Sequence, residues 1–182
     1  MKSVQKLTLS ALFLALGLLL PFLTGQIQHI GNMLLPMHLP VLLCGLICGW
    51  KYGLVVGFIM PLLRSALFSM PVMFPPAFAM AFELASYGAI SGLVYEHVKT
   101  QNIASVYKAL IAAMLGGRVV YGLVMTVITS ALGQPYSFQI FMTAAFINAI
   151  PGIILQLILI PAVMVLLDKA GVTRFNSRLA KA

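Results

Sequence analysis

The sequence predicts an all-α integral membrane protein of six transmembrane helices, with both termini in the cytoplasm. Three observations carry this. Hydrophobic residues make up 62% of the 182-residue chain and charged residues 8%, against about 25% charged in soluble domains, so a water-facing surface cannot be assembled. The apolar runs are long and continuous, unlike the short alternating segments of a membrane β-barrel. Lysine and arginine outside the runs fall only in alternate connections, the signature of cytoplasmic loops.

Lys2 and Lys6 precede the first span, Leu7–Leu23. Its basic start and apolar run resemble a secretion signal, but it ends in Pro21-Phe22-Leu23-Thr24-Gly25 without a small-residue cleavage site, so it is read as a retained helix. An uncharged polar stretch with Gln26, Gln28, His29 and Asn32 leads to a short second span, His38–Trp50, either extended by Met33–Met37 or tilted and interrupted by Pro40. Trp50 and Tyr52 around Lys51 form an interfacial anchor. The third span, Tyr52–Ser69, holds Pro61 and Arg64; a loop rich in proline and methionine, Met70–Pro76, joins it to the fourth, Ala77–Tyr95, which holds Glu83. A polar connection with Lys99 and Lys108 precedes the fifth span, Ala109–Leu132, with Gly116-Gly117-Arg118 near its middle. The sixth, Phe138–Leu167, is broken by Pro151 and Pro161, and a basic tail follows. Residues 1–182 form a single domain without internal repeats. The net charge of +8 sits in connections and termini, so it reports topology, and nucleic acid is not an expected partner.

A charge inside a membrane span costs about 2.5–3.5 kcal/mol on insertion scales and so marks function. With this topology Arg64 and Glu83 lie about 7–9 Å below the external surface, Arg118 near the midplane and Asn148 about 15 Å deep. A pocket open to the outside follows. Two arginines and one glutamate would leave it net positive, suiting an anionic or strongly hydrogen-bonding ligand. Tyr87 and Tyr121 share helical faces with Glu83 and Arg118, and the aromatics and methionines of Met70–Phe82 would supply an apolar wall. Two readings stay open for Arg64 and Glu83: ligand contact, or a pair that fixes the packing of spans three and four. Arg118, with no acidic partner left over, is the better ligand candidate. Asn148 either meets ligand or mends backbone freed by the Pro151-Gly152 break. Asn32 and His38 are further external candidates, while Gln156 reads as glue between helices. Cys44 and Cys48 are packing residues. No cofactor or metal site is expected, and no HExxH, GxSxG or paired-aspartate set suggests an enzyme. Inverted repeats or pore rings, which a self-sufficient small transporter or channel would use, are not visible. Ala11 and Ala15 give span one a small-residue face, for packing in the bundle or for a partner.

The sequence resembles the substrate-binding S-component of an energy-coupling factor (ECF) vitamin transporter. The resemblance rests on six spans, Ala11-Leu-Phe-Leu-Ala15, LPMHLPVLLCG at Leu35–Gly45, YGLVVGFIMPLLRS, and MAFELASYGAISGLVY at Met80–Tyr95, in that order. It implies a multi-pass cell-membrane subunit that takes a vitamin from outside, using the first and third external loops and spans four to six. Its partners would be a transmembrane coupling subunit, docked through Ala11 and Ala15, and two cytoplasmic ATPases; toppling in the lipid bilayer would carry the ligand inward. The chain has no Walker motif of its own. The pantothenate-type branch is most similar, its ligand offering a carboxylate to Arg118 or Arg64 and hydroxyls and an amide to Asn148, Glu83 and loop groups. Hydroxymethylpyrimidine, folate and cobalamin are the alternative ligands. Trp50, at the cytoplasmic side, argues against thiamin.

Overall fold

The computed structural model describes residues 2–24, 34–98, 101–133, 139, 142, 143 and 147–171. The described chain contains six helices: α1 (Ser3–Leu19), α2 (His38–Cys48), α3 (Trp50–Phe68), α4 (Phe78–His97), α5 (Ile103–Ala131) and α6 (Ile150–Lys169). All but α2 are long and apolar enough to cross a membrane.

Each boundary has a local cause. The Lys2 amide donates to the Gln5 side chain at 3.0 Å at the start of α1. Beyond Leu19 the chain tightens into a 3₁₀ turn, Leu20–Thr24, which contains Pro21, a residue that cannot donate to a preceding carbonyl. Leu35, at φ 51°, accepts the His38 amide on its carbonyl at 3.1 Å just before α2. Pro40 does not interrupt α2, as one sequence reading had it; it occupies the first turn, where no intrahelical donor is required. Gly49, at φ 100°, makes the sharp passage from α2 to α3 in a conformation costly for any side chain. The Asn102 side chain accepts the Ser105 amide at 2.9 Å and starts α5, six residues before the expected Ala109. The long sixth span is interrupted next to Pro151: Gln139 and Met142 are helical, Asn148 and Ala149 form a turn, and α6 follows with Pro151 in its first turn and Pro161 internal.

Helix α4 is the axis of the bundle, packing on α2, α3 and α5; α1 covers α2 and α3, and α6 lies against α5 and α2. At eleven residues α2 is about 16 Å long, half a hydrocarbon layer, and nearly all of it is buried. It is a core helix held within the others. Cys44 and Cys48 are buried in it, in keeping with packing residues. The close approach depends on glycine. A Cβ on Gly53 of α3 would lie 2.6 Å from the Gly88 carbonyl oxygen of α4 and 2.7 Å from the Gly45 Cα of α2. One on Gly92 would lie 2.5 Å from the Trp50 amide nitrogen. Three helices therefore meet backbone to backbone, the packing that small residues permit where lipid removes the hydrophobic drive between helices.

The outer surface is apolar. Ile111, Leu115, Val119, Leu123 and Val127, four residues apart along α5, are all exposed. That stripe suits hydrocarbon and would be untenable in water. Lys51 lies 5.6 Å from the Trp50 ring centre at the start of α3.

Gly53→Val and Gly88→Val should each lower the thermal unfolding midpoint of the detergent-solubilised protein, at the upper end of the ~1–3 kcal/mol typical of overpacking. Gly116→Ala is the control, because its Cβ meets only the flexible tip of Ile90; its midpoint should hold or rise.

Candidate functional site

The structure gathers ionisable side chains from three helices. Glu83, in the second turn of α4, Arg118, midway along α5, and His38, the first residue of α2, are 2%, 5% and 2% exposed. Glu83 Oε1 lies 3.0 Å from Arg118 Nη1 and 3.7 Å from His38 Nε2. The His38 ring meets Tyr87, one turn beyond Glu83, edge to face at 5.1 Å between centres. The seam at Gly117 makes room: a Cβ there would sit 3.1 Å from Tyr87 ring carbons and 3.2 Å from the Glu83 carbonyl oxygen.

This overturns two expectations. Arg118 does have an acidic partner, and Glu83 does not pair with Arg64 across the α3–α4 hairpin. Sequence separation concealed the pair, since α4 and α5 meet along their lengths only after folding. The Gly116-Gly117 doublet before Arg118 was the available signal, marking where α5 approaches α4.

Arg64 is buried elsewhere. Its Nη1 donates to the Leu18 carbonyl of α1 at 2.6 Å, and its guanidinium lies 5.2 and 5.5 Å from the Phe22 and Phe68 ring centres. Those rings pack edge to face at 4.9 Å. The chemistry follows from Pro21. Where a helix tightens to 3₁₀ geometry, the Leu18 carbonyl looks three residues ahead for a donor and finds a proline. Arg64 supplies one, and the aromatic faces stabilise its charge. Arg64 is thus a clamp between α1 and α3.

The remaining candidates divide. Tyr87 belongs to the cluster. Tyr121 is half-buried, one turn along α5 from Arg118, and Asn148 is exposed just before α6, its amide donating to the Thr143 carbonyl at 3.0 Å. Asn32 lies outside the described residues, as does His29. Of the expected apolar wall, Met70, Val72, Met73, Phe74, Phe78 and Phe82 are exposed. Phe74, Phe78, Phe82 and Phe58 form a ladder with ring centres 5.2–6.2 Å apart. Ala11 and Ala15 point away from the bundle, which removes packing within it as their explanation; Gly17, on the opposite face of α1, meets Met60 instead. Gln156 is 2% exposed, and its Nε2 bonds to no partner among the described residues.

The cluster is incompletely satisfied. Among the described residues, both His38 ring nitrogens, Glu83 Oε1 and the Nε and Nη2 of Arg118 are buried without a hydrogen-bond partner. The Arg118–Glu83 contact is thus an ion pair whose alignment falls short of a hydrogen bond. In a guanidinium, Nε and Nη2 share the edge that grips a carboxylate through two parallel N–H bonds. Glu83 meets Nη1 and leaves that edge open. Leaving such donors unmet costs about 1–3 kcal/mol each, more for charged groups, a debit an incoming polar ligand can remove. A separate concavity of about 790 Å³, between the start of α1 and the far ends of α2 and α4, is lined by Lys6, Tyr95 and Glu96 among others. It includes none of the cluster.

The long apolar helices define a multi-pass helical membrane protein. The chain matches the family model described as ECF transporter, substrate-specific component, over residues 5–164. It belongs to that family. It is accordingly a transport subunit of the cell membrane that takes a small-molecule substrate and works with an ECF module. No match to the chain was found among curated proteins or among solved structures.

Glu83→Leu should destabilise the protein by about 3–5 kcal/mol, because it strands the Arg118 charge in the bundle. The double variant Glu83→Leu/Arg118→Met should recover most of that loss. Chemical or thermal unfolding in nanodiscs would read both; equal losses would show that the pair is not a coupled unit.

Proposed function

We propose that this S-component captures pantothenate from the external side and delivers it by toppling against a coupling subunit energised by two cytoplasmic ATPases. The observation that carries the ligand reading is the open Nε–Nη2 edge of Arg118, buried and without a hydrogen-bond partner among the described residues. A carboxylate fits it. The hydroxyls and amide of pantothenate would address Glu83 and His38, with Tyr87 and Tyr121 as flanking rings and Asn148 and Asn32 as contributors from the external connections. Arg64 is left out of this set because it is not in the Glu83 cluster: its Nη1 donates to the Leu18 carbonyl and its guanidinium lies against the Phe22 and Phe68 rings.

The topology supports the direction of capture. Lys2, Lys6, Lys51, Lys99 and Lys108 mark the cytoplasmic ends of the spans, and the cluster lies toward the opposite ends of α2 and α4. Docking on the coupling subunit is assigned to the outward face of α1 at Ala11 and Ala15, where small side chains admit a close helix.

Purified protein should bind pantothenate at submicromolar concentration by calorimetry, and failure to bind any member of a vitamin panel would defeat the proposal. Arg118→Ala should weaken binding at least tenfold, whereas Arg64→Met should lower thermal stability and leave affinity unchanged. Bulky residues at positions 11 and 15 should abolish uptake in cells carrying an ECF module while sparing binding. Uptake that survives them would refute docking through α1.

A further inference from the structure

The charge balance of the site constrains what can enter it. The chain has three acidic residues, and only Glu83 is near the cluster. Glu96 and Asp168 belong to the other end of the helices, where Glu96 reaches Gly49 and Asp168 acts on Tyr95. Glu83 is matched by Arg118 at 3.0 Å. His38 stands 3.7 Å from the same carboxylate oxygen, with no hydrogen-bond partner at either ring nitrogen among the described residues. With His38 neutral, the site sums to zero.

The groups facing His38 are few. From α4 come Glu83 and Tyr87, and from α5 comes Arg118 across Glu83. Helix α1 carries Lys2 and Lys6, the latter near Gly49 at the far end. In α3, Lys51 and Tyr52 are also at that end, and Arg64 is turned to Leu18. In α6, Asp168 and Lys169 lie in the last turn. Nothing else ionisable among these helices can balance a new charge beside Glu83.

We infer that the site admits a monocarboxylate together with one proton, and that His38 takes that proton. The inference rests on the proposed ligand reading and deepens it. A carboxylate gripping the open Arg118 edge brings a second negative charge next to Glu83 in a region shielded from water. Two carboxylates sharing one guanidinium leave the site at minus one, which is expensive to bury. Protonation of His38 by solvent restores neutrality, and the imidazolium then faces Glu83 across 3.7 Å. Glu83 thus faces the arginine alone as the charged partner when the site is empty, and the arginine and the imidazolium together when it is filled. A neutral ligand would require no such proton.

The sign of the linkage is fixed. Because His38 binds a proton more strongly in the filled site, affinity is highest at low pH. It falls about tenfold per unit as pH rises through the window between the titration of His38 in the empty and the filled site. The test is calorimetry of the wild-type protein with pantothenate, in buffers of low and high ionisation enthalpy across pH 6–8. Pantothenyl alcohol, which replaces the carboxylate by a hydroxymethyl group, is the neutral probe. The expected result is uptake approaching one proton per pantothenate and none for the alcohol, with His38→Gln binding pantothenate more weakly and without proton uptake. Pantothenate binding without proton uptake, or equally tight binding of the alcohol, would overturn the inference and leave the transport reading standing. If another carboxylate vitamin of the panel binds instead, the proton count is made with that vitamin and decides in the same way. Binding of neutral or cationic vitamins alone would also overturn it, and no binding by any vitamin would overturn the transport reading as well.

Discussion

The ion pair between Glu83 and Arg118 is the constraint on which the rest of the structure depends. Each charge would be prohibitive alone in a bundle surrounded by lipid, and each makes the other tolerable. Their 3.0 Å contact fixes the axial register of α4 against α5. With that register set, Tyr87 and Gly117 face one another, and His38 reaches the same carboxylate from the tip of α2. The pair is also deliberately incomplete as chemistry. Among the described residues only Nη1 of the guanidinium meets a partner, so the Nε–Nη2 edge is left open.

The short α2 and the glycine seam make that contact reachable. Without Gly45, Gly53 and Gly88 the axes of α2, α3 and α4 would stand farther apart, and His38 could not approach Glu83. Packing energy in a membrane comes from dispersion and polar contacts between close helices, so the glycines act on stability and on site geometry at once. Fold and function share residues here, which is why a change far from the charged cluster can disturb it.

The sequence disclosed the architecture well and the site in part. Alternating basic connections and long apolar runs announced the six helices, because lipid punishes misplaced charge and the chain must obey along its whole length. His38, Glu83, Tyr87 and Arg118 were all legible as candidates, since charge and hydrogen-bonding capacity are rare in such a chain. Their partnerships were not. Arg64 and Glu83 are close in sequence and invited pairing, yet Arg64 answers a backbone carbonyl deprived of its donor by Pro21, a need that no side-chain pattern displays. The phenylalanines of the Met70–Phe82 stretch are a different case. Apolar residues face inward in water but can face outward in lipid, and residue type alone does not separate a pocket wall from a surface.

The clamp at Arg64 has a mechanical consequence. Helix α1 is the element most open to its surroundings, and its attachments to α3 are the Arg64–Leu18 bond near its outer end and the fit of Met60 against Gly17 just before it. Both attachments lie within two residues along α1, while Ser10 and Phe13 seat its middle in the bundle, Ser10 through the Cys44 Sγ–Ser10 Oγ hydrogen bond at 3.6 Å. A lateral push on the outward face of α1 would therefore reach α2 through Ser10 and α3 through Arg64, the latter one turn before the loop that leads into α4.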